Sequence, residues 1–219
     1  RQAKIPLSSH SGFDGTRMVA FVSEESHYSC SIASNVIGIG HSNLISVRCN
    51  DDGQMLPEAL DEEIQRALDN NQIPFAVLAT SGTTVLGSFD PLREIAAVAH
   101  KHNLWMHVDA AWGGSCLFSS RYRSLMDGIE LADSFCWDAH KMMGIPLICS
   151  AFIVKDADIL RAVCSTGQTA HYLYHETGAE IDLGRFSLQC GRRNDCLLYT
   201  SDAADELLWV GSGGGRGVG

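Results

Sequence analysis

Lys141 and Asp109 each end an apolar stretch of the sequence, and together they suggest covalent chemistry on a flat ligand. Lys141 closes the segment 134–141 and is followed by two methionines. An amine in apolar surroundings is poorly solvated, which makes it a better nucleophile toward carbonyl groups. Asp109 is followed by small residues, Ala110 and Ala111, which leave space for a planar molecule. A carboxylate in such a place needs a cationic or hydrogen-bonding partner.

Two further segments supply groups that a planar, anionic ligand could use. The turn 81–84 (Ser-Gly-Thr-Thr) offers hydroxyl and backbone N–H groups that suit an anion, and His27 offers a planar ring. A flat cofactor with a phosphate, an aldehyde and a basic ring nitrogen would use all of these groups. Pyridoxal 5'-phosphate (PLP) is such a cofactor. The cysteines form no C-x-x-C pair, so no metal site is predicted.

These residues must be positioned by alternating strands and helices. Apolar runs predict strands at 18–22, 44–47, 75–79, 104–108, 134–137 and 148–154. Apolar spacing predicts helices at 29–36, 57–68 and 91–102. Continuously apolar strands that alternate with helices are typical of an α/β protein with a largely parallel, covered sheet. Ligands of such sheets bind beyond the carboxyl ends of the strands, where Asp109, the 81–84 turn and Lys141 are all expected.

The composition limits the possible partners. The 219 residues are 45% hydrophobic, which is enough for one large domain with a sizeable core. The net charge of −10 disfavours nucleic acid and anionic membranes as partners. No apolar run is long enough to span a bilayer. Several cysteines lie inside apolar runs, which indicates small core residues in a reducing cytoplasm rather than a disulfide framework.

Five motifs, in this order along the chain, resemble the group II PLP-dependent amino-acid decarboxylases, in the branch that acts on acidic amino acids. They are SHYS (26–29), SGTT (81–84), HVDAAWGG (107–114), DAHK (138–141) and QCGRR (189–193). The resemblance implies a fold type I PLP enzyme, of which this chain would be a large-domain fragment with a mainly parallel sheet flanked by helices. It also implies decarboxylation of aspartate, glutamate or cysteine sulfinate to the amine and CO2 by a cytoplasmic homodimer.

The resemblance also implies roles for individual positions. Lys141 matches the lysine that binds PLP covalently, and Asp109 matches the carboxylate that pairs with the pyridinium nitrogen. His27 matches a histidine stacked on the cofactor ring. Tyr172 matches a catalytic tyrosine on a mobile loop, with Tyr174 as the alternative. Three further positions match residues that lie close to the cofactor: Thr84, Ala111 and His140.

One position departs from the family pattern. The family often has Asn-Pro-His-Lys where this chain has Asp-Ala-His-Lys at 138–141. An asparagine can donate a hydrogen bond to the phosphate, whereas an ionised aspartate cannot. Asp138 is therefore expected to point elsewhere, or the phosphate to be bound by other donors.

The end of the chain differs from the rest. Residues 196–206 resemble the translation of a sequencing adapter, and residues 211–219 are rich in glycine. We expect residues 1–196 to form part of a PLP-binding large domain and residues 197–219 to be a non-native tail. The resemblance implies further segments on both sides of this domain, so the 219-residue chain alone is expected to be inactive.

Two other functions stay open at this point. Another fold type I PLP reaction, such as transamination or a lyase reaction, would use Asp109 and Lys141 equally well. A non-catalytic relative could bind partners through an intact fold. The reaction products would distinguish the first alternative, and a yellow colour from bound PLP would argue against the second.

Overall fold

The described part of the protein is built around a six-stranded sheet. The computed structural model describes residues 15–164 together with Phe186 and Leu188. The strands are β1 (Met18–Ser23), β2 (Leu44–Val47), β3 (Ile73–Thr80), β4 (Trp105–Asp109), β5 (Ser134–Asp138) and β6 (Ser150–Val154). Their order in the sheet is β2-β1-β3-β4-β5-β6. The neighbours β1–β2, β1–β3, β3–β4 and β4–β5 pair in parallel, so the predicted mainly parallel sheet is confirmed.

The described residues also form α-helices. They are α1 (Ser29–Val36), α2 (Pro57–Asp69), α3 (Leu92–Lys101) and α4 (Ala157–Cys164). Pro57 begins α2, where a missing N–H costs nothing because first-turn amides have no partner within the helix. The sequence predicted the first three helices closely and did not predict α4. Several short 3₁₀ turns, among them Gly113–Phe118 after β4, were also not predicted.

The core joins α2 and α3 to one face of the sheet. Alternate residues of three strands and the apolar stripes of both helices belong to one buried cluster. Its largest contributors from these elements include Val19, Phe21, Leu60, Ile64, Val77, Leu92, Ile95, Met106 and Val108. Burying a side chain of this size stabilises the fold by about 1.5–3 kcal/mol. The strand ends that carry the candidate residues are therefore held by a rigid frame.

A buried carboxylate ties β3 to the segment before α2. Asp90 is 3% exposed, and its two oxygens accept hydrogen bonds of 2.7 Å from the backbone N–H groups of Met55 and Thr80. Burial raises the pKa of Asp90 to about 6, and the two N–H donors act in the opposite direction. This link was not predicted, because Met55 lies 35 residues before Asp90 and no local pattern marks the bond with Thr80, which lies 10 residues before it.

The structure describes six cysteines: Cys30, Cys49, Cys116, Cys136, Cys149 and Cys164. Cys116 is buried, as expected of a small core residue, whereas the other five are only half-buried. The expectation of core positions therefore fails for most of them. Four of the five lie at or near an end of a helix or strand, whereas Cys136 lies in the middle of β5.

The chain divides into two compact units. Arg1–Met143 with Ser150–Ile153 forms the first unit, which contains the candidate residues up to Lys141. Gly144–Cys149 with Val154–Gly219 forms the second unit. Among the described residues of the second unit, the Arg161 guanidinium lies 5.4 Å from the centre of the Phe186 ring. Within the described ranges, no helix has the length and apolar character that a membrane crossing requires.

Candidate functional site

The candidate residues lie at the carboxyl edge of four neighbouring strands. His27 follows β1, the 81–84 turn follows β3, Ala111 follows β4 and Lys141 follows β5. Since β1, β3, β4 and β5 are parallel neighbours, their carboxyl ends meet at one edge of the sheet. The expected location beyond the strand ends is therefore the one found.

Asp109 occupies the centre of this edge. In the strand register it stands opposite Thr80 of β3 on one side and Cys136 of β5 on the other. Its side chain is half-buried. Oδ1 accepts a hydrogen bond of 3.1 Å from the Ala111 N–H and one of 3.5 Å from the Cys136 thiol. Within the described ranges no hydrogen bond reaches Oδ2, so this oxygen is available to a ligand.

The turn after β3 packs tightly against the segment after β4. The Ser81 N–H donates to the Asp109 carbonyl at 2.8 Å, and the Gly113 N–H donates to the Ser81 carbonyl at 3.0 Å. Gly82 has a φ of +86°, and a Cβ there would lie 2.8 Å from Trp112 Cδ1. Only glycine fits such a close approach at positive φ. The two turns therefore form one structural element rather than two independent loops.

The hydroxyl groups of the 81–84 turn have different surroundings. Thr83 Oγ1 accepts a hydrogen bond of 3.0 Å from the Ser88 N–H, which closes the turn. Thr84, the predicted cofactor contact, is exposed at the edge. Ser81 Oγ is buried and has no hydrogen-bond partner among the described residues. A buried hydroxyl without a partner is costly and points to a ligand or water that satisfies it.

His27 is oriented by the start of α1. Its Nδ1 lies 2.8 Å from Ser29 Oγ, and its ring centre lies 4.2 Å from that of Tyr28. The ring is half-buried, and the His27 carbonyl accepts the Cys30 N–H at 3.2 Å. The negative charge of Asp109 contributes to the raised pKa of the Cys30 thiol. His27 follows β1 at the same sheet edge as Asp109, and its stacking on the cofactor ring stays a prediction.

Lys141 is paired with Asp138. Lys141 Nζ lies 3.2 Å from Asp138 Oδ2, and His140 Nε2 lies 3.7 Å from the same oxygen. The turn that follows β5 causes this arrangement, because the Lys141 N–H donates to the Asp138 carbonyl at 3.1 Å. The Lys141 side chain is 38% exposed. The sequence predicted a poorly solvated amine, whereas the structure shows a partly exposed ammonium with a counter-charge.

The small residues after Asp109 allow β5 to pack closely against this segment. A Cβ at Gly114 would lie 2.9 Å from Trp137 Cδ1, so the indole leaves room for glycine alone. The Trp137 indole N–H donates to Ser115 Oγ at 2.9 Å. The Asp138 N–H donates to the Ala111 carbonyl at 3.2 Å. These contacts fix the end of β5, and with it the position from which Lys141 projects.

Two thiols beside Asp109 were not recognised from the sequence. Burial raises the pKa of Cys136 to about 12, and the nearby Asp109 charge adds to the effect. The same two causes raise the pKa of Cys30 to about 11. Both groups therefore stay neutral at physiological pH. The available signal was the position of Cys136 inside an apolar run, but its place opposite Asp109 depends on a strand register that the sequence does not reveal.

Several predicted residues lie outside the described part of the chain. These are the candidate loop tyrosines Tyr172 and Tyr174, the QCGRR motif at 189–193 and the segment 197–219. Their roles remain predictions.

The described edge fits PLP. It offers an amine on Lys141, a carboxylate oxygen on Asp109 without a donor, and a buried Ser81 hydroxyl without a partner. The small residues at 110, 111, 113 and 114 keep side-chain bulk away from the centre. Lys141 could hold the cofactor through its aldehyde, and Asp109 could hold it through its ring nitrogen. A search of the described residues finds no group of three or more His, Cys, Asp or Glu side chains that could hold a metal.

A parallel α/β sheet with a lysine and a carboxylate at adjacent strand ends is consistent with a fragment of the PLP-dependent fold type I. The family model for the pyridoxal-dependent decarboxylase conserved domain matches residues 8–200. The chain belongs to this family, whose members are PLP-dependent carboxy-lyases, and its cofactor is PLP.

Curated relatives confirm the resemblance to the acidic amino-acid branch. The chain is 46% identical to the acidic amino acid decarboxylase GADL1 of Xenopus tropicalis over 186 residues, which is 84% of this chain and 36% of the relative. It is 44% identical to human cysteine sulfinic acid decarboxylase over 199 residues, 90% of this chain and 39% of the relative. The chain thus spans well under half the length of these proteins.

Solved structures confirm the fold. Mouse CSAD in its apo form superposes with a TM-score of 0.85 at 39% identity, over 98% of this chain and 44% of that one. Oryza sativa TDC, solved with PLP and tryptamine, superposes with a TM-score of 0.80 at 29% identity, over 89% of this chain and 41% of that one.

Proposed function

We propose that the full-length protein removes the α-carboxylate of an acidic L-amino acid, releasing CO2 and the amine. The observation that carries this proposal is the placement of Asp109 and Lys141 at the carboxyl ends of adjacent parallel strands, β4 and β5. The candidate substrates are aspartate, glutamate and cysteine sulfinate. They are supported by the similarity to GADL1 and to cysteine sulfinic acid decarboxylase, whose names specify acidic substrates.

Each candidate residue has a defined task in this reaction. PLP supplies an electron sink for the bond to the α-carboxylate. Lys141 holds the cofactor through its amine, and Asp109 keeps a proton on the ring nitrogen through a charge-assisted hydrogen bond. His27 covers the ring, and Tyr172 returns a proton to Cα as a general acid. The remaining contacts of the cofactor are assigned to Thr84, Ala111 and His140.

The assembly of this protein is also part of the proposal. We infer a cytoplasmic homodimer, in which residues 1–196 contribute part of the PLP-binding large domain. The inference is supported by the family resemblance and by apolar side chains that stay exposed on the first unit. Among them are Ile32 and Val36 of α1, which are 52% and 78% exposed. Light scattering of the full-length protein measures this state directly.

The deciding experiment compares wild-type full-length protein with Lys141→Ala. We expect wild type to be yellow from bound PLP and to release CO2 from at least one of the three acidic substrates. Lys141→Ala removes the amine that binds the cofactor, so both the near-visible absorbance and turnover should disappear. Lys101→Ala is the matched control, because this lysine pairs with Asp61 on the helices and not at the sheet edge.

The products separate decarboxylation from its alternatives. Amine and CO2 in equal amounts support the proposal, whereas a keto acid without CO2 would indicate an aminotransferase. A wild-type protein that binds no PLP and turns over none of the substrates would contradict the proposal and favour a non-catalytic relative.

A further inference from the structure

Cys136 is placed beside Asp109 by the strand register. It stands opposite Asp109 in the parallel pair β4–β5. Its Sγ lies 3.5 Å from Asp109 Oδ1, within the range of a thiol hydrogen bond. The Ala110 N–H donates to the Cys136 carbonyl at 3.2 Å, so the backbone fixes this arrangement from both strands.

Both hydrogen bonds to the Asp109 side chain reach the same oxygen. The Ala111 N–H donates to Oδ1 at 3.1 Å, and the Cys136 thiol is directed to that atom as well. Two donors on one oxygen, from different strand ends, restrict rotation of the carboxylate about its Cβ–Cγ bond. In the part of the chain that the structure describes, Oδ2 is left without a donor.

The thiol is in the protonation state that this arrangement needs. Burial raises the pKa of Cys136 to about 12, and the negative charge of Asp109 favours the neutral thiol further. Cys136 therefore donates its S–H to the carboxylate at physiological pH. A thiolate in this place would instead repel Asp109.

We propose that Cys136 is a positioning residue, which with the Ala111 amide holds the Asp109 carboxylate so that its second oxygen is free for the ring nitrogen of the cofactor. The inference rests on the proposed function, because it concerns the same carboxylate and cofactor. Cys136 itself need not touch the cofactor or the substrate. Its effect is to leave Oδ2 of Asp109 as the oxygen that bonds to the ring nitrogen, and to limit the rotation of the carboxylate.

The test uses the full-length holoenzyme loaded with PLP that carries ¹⁵N in the ring. The ¹⁵N chemical shift reports how fully the ring nitrogen is protonated. We expect Cys136→Ala to shift the resonance toward the unprotonated value. It should lower kcat by about three- to tenfold, the range expected for one hydrogen bond, and leave KM unchanged. Cys136→Ser keeps a donor and should restore both quantities.

The control is Cys49→Ala, which removes another half-buried thiol. Cys49 bonds to Ser23 Oγ at 3.1 Å and does not contact Asp109. It should leave the ¹⁵N resonance at its wild-type position. Melting temperatures of all variants identify any loss of folding, and Cys136→Val, which has a similar volume and no donor, carries the test if the alanine variant does not fold.

Two outcomes overturn the inference at different levels. A wild-type ¹⁵N resonance and wild-type kcat in Cys136→Ala would exclude the positioning role while leaving the proposed function intact. A wild-type protein that neither binds PLP nor releases CO2 would remove the proposed function, and the role of Cys136 with it.

Discussion

Lys141 and Asp138 form an ion pair across the turn that follows β5, with 3.2 Å between Nζ and Oδ2. Asp138 stands where the family often has asparagine, and an ionised aspartate cannot donate to a phosphate. The structure gives this carboxylate another partner, the ammonium of the lysine that is assigned to the cofactor. Both expectations for Asp138, that its side chain points elsewhere or that other donors bind the phosphate, stay predictions.

This ion pair predicts that Asp138→Asn speeds cofactor capture. The contact with Asp138 must break before the Lys141 amine can reach the aldehyde of the cofactor. Removing it should raise the rate of PLP binding by up to about fivefold, because a partly exposed pair is worth only about 1 kcal/mol or less. The measurement is the growth of near-visible absorbance after PLP is added to the cofactor-free full-length protein.

Pyridoxal, which lacks the phosphate, separates two explanations of this effect. If Asp138 acts on Lys141, capture of pyridoxal and PLP should accelerate alike. Faster capture of PLP alone would mean that Asp138 repels the phosphate. Asp61→Asn is the control, because it breaks an ion pair with Lys101 between helices α2 and α3. Unchanged rates with both compounds would contradict the prediction.

Asp109→Asn should lower turnover by about a hundredfold, in the range found for loss of one preorganised charge or dipole. The amide has no charge to keep the ring nitrogen protonated. The fold should persist, because the amide oxygen can still accept from the Ala111 N–H and the Cys136 thiol. Steady-state kinetics measure the loss of turnover, and a thermal melt shows whether the fold persists. Near-normal turnover would contradict the role assigned to Asp109.

Asp90 predicts a pH-dependent contribution to stability. Its pKa is raised to about 6 in the folded protein, against about 3.9 in the unfolded chain. A raised pKa means that the stabilisation is present below about pH 4 and is lost as pH rises through about 6. The loss amounts to at most about 3 kcal/mol. The free-energy difference between wild type and Asp90→Asn should therefore shrink from pH 4 to pH 7, as measured by urea unfolding.

Asp61 provides a control of opposite sign for this titration. Hydrogen bonds from Lys101 and His102 lower the pKa of Asp61, so its contribution is present at neutral pH and is lost as the solution becomes acidic. A wild-type advantage over Asp90→Asn that stays constant or grows with pH would show that the Met55 and Thr80 N–H groups outweigh burial at Asp90.

Tyr172→Phe should leave PLP binding intact while amine production falls. Without the general acid, the proton returns to the wrong carbon more often, so aldehyde products of abortive transamination should rise. Product analysis by mass spectrometry measures both changes. Tyr174→Phe is the paired variant, and if it alone has this effect the assignment of the loop tyrosine moves by two positions.

The position of the site could be predicted from sequence, whereas its internal contacts could not. Apolar runs mark where strands end, and Asp109 and Lys141 stand at such ends, so the shared edge follows from the parallel topology. The thiol of Cys136 beside Asp109 depends on strand register, which no local pattern specifies. The exposure of Lys141 depends on a turn geometry that pairs it with Asp138. Asp90 was missed because one partner, Met55, lies 35 residues away, and no local pattern marks its bond with the other, Thr80.

The strand order β2-β1-β3-β4-β5 also has a consequence for how the protein matures. Residues from His27 to Lys141 lie at one edge of the sheet. Contacts between residues so distant in sequence form late, because the entropy cost of closing a long loop opposes them. Until β5 has joined the sheet, the Lys141 amine is not in place beside Asp109 to bind the cofactor. Colour that appears during refolding or translation is therefore expected to report when β5 joins the sheet.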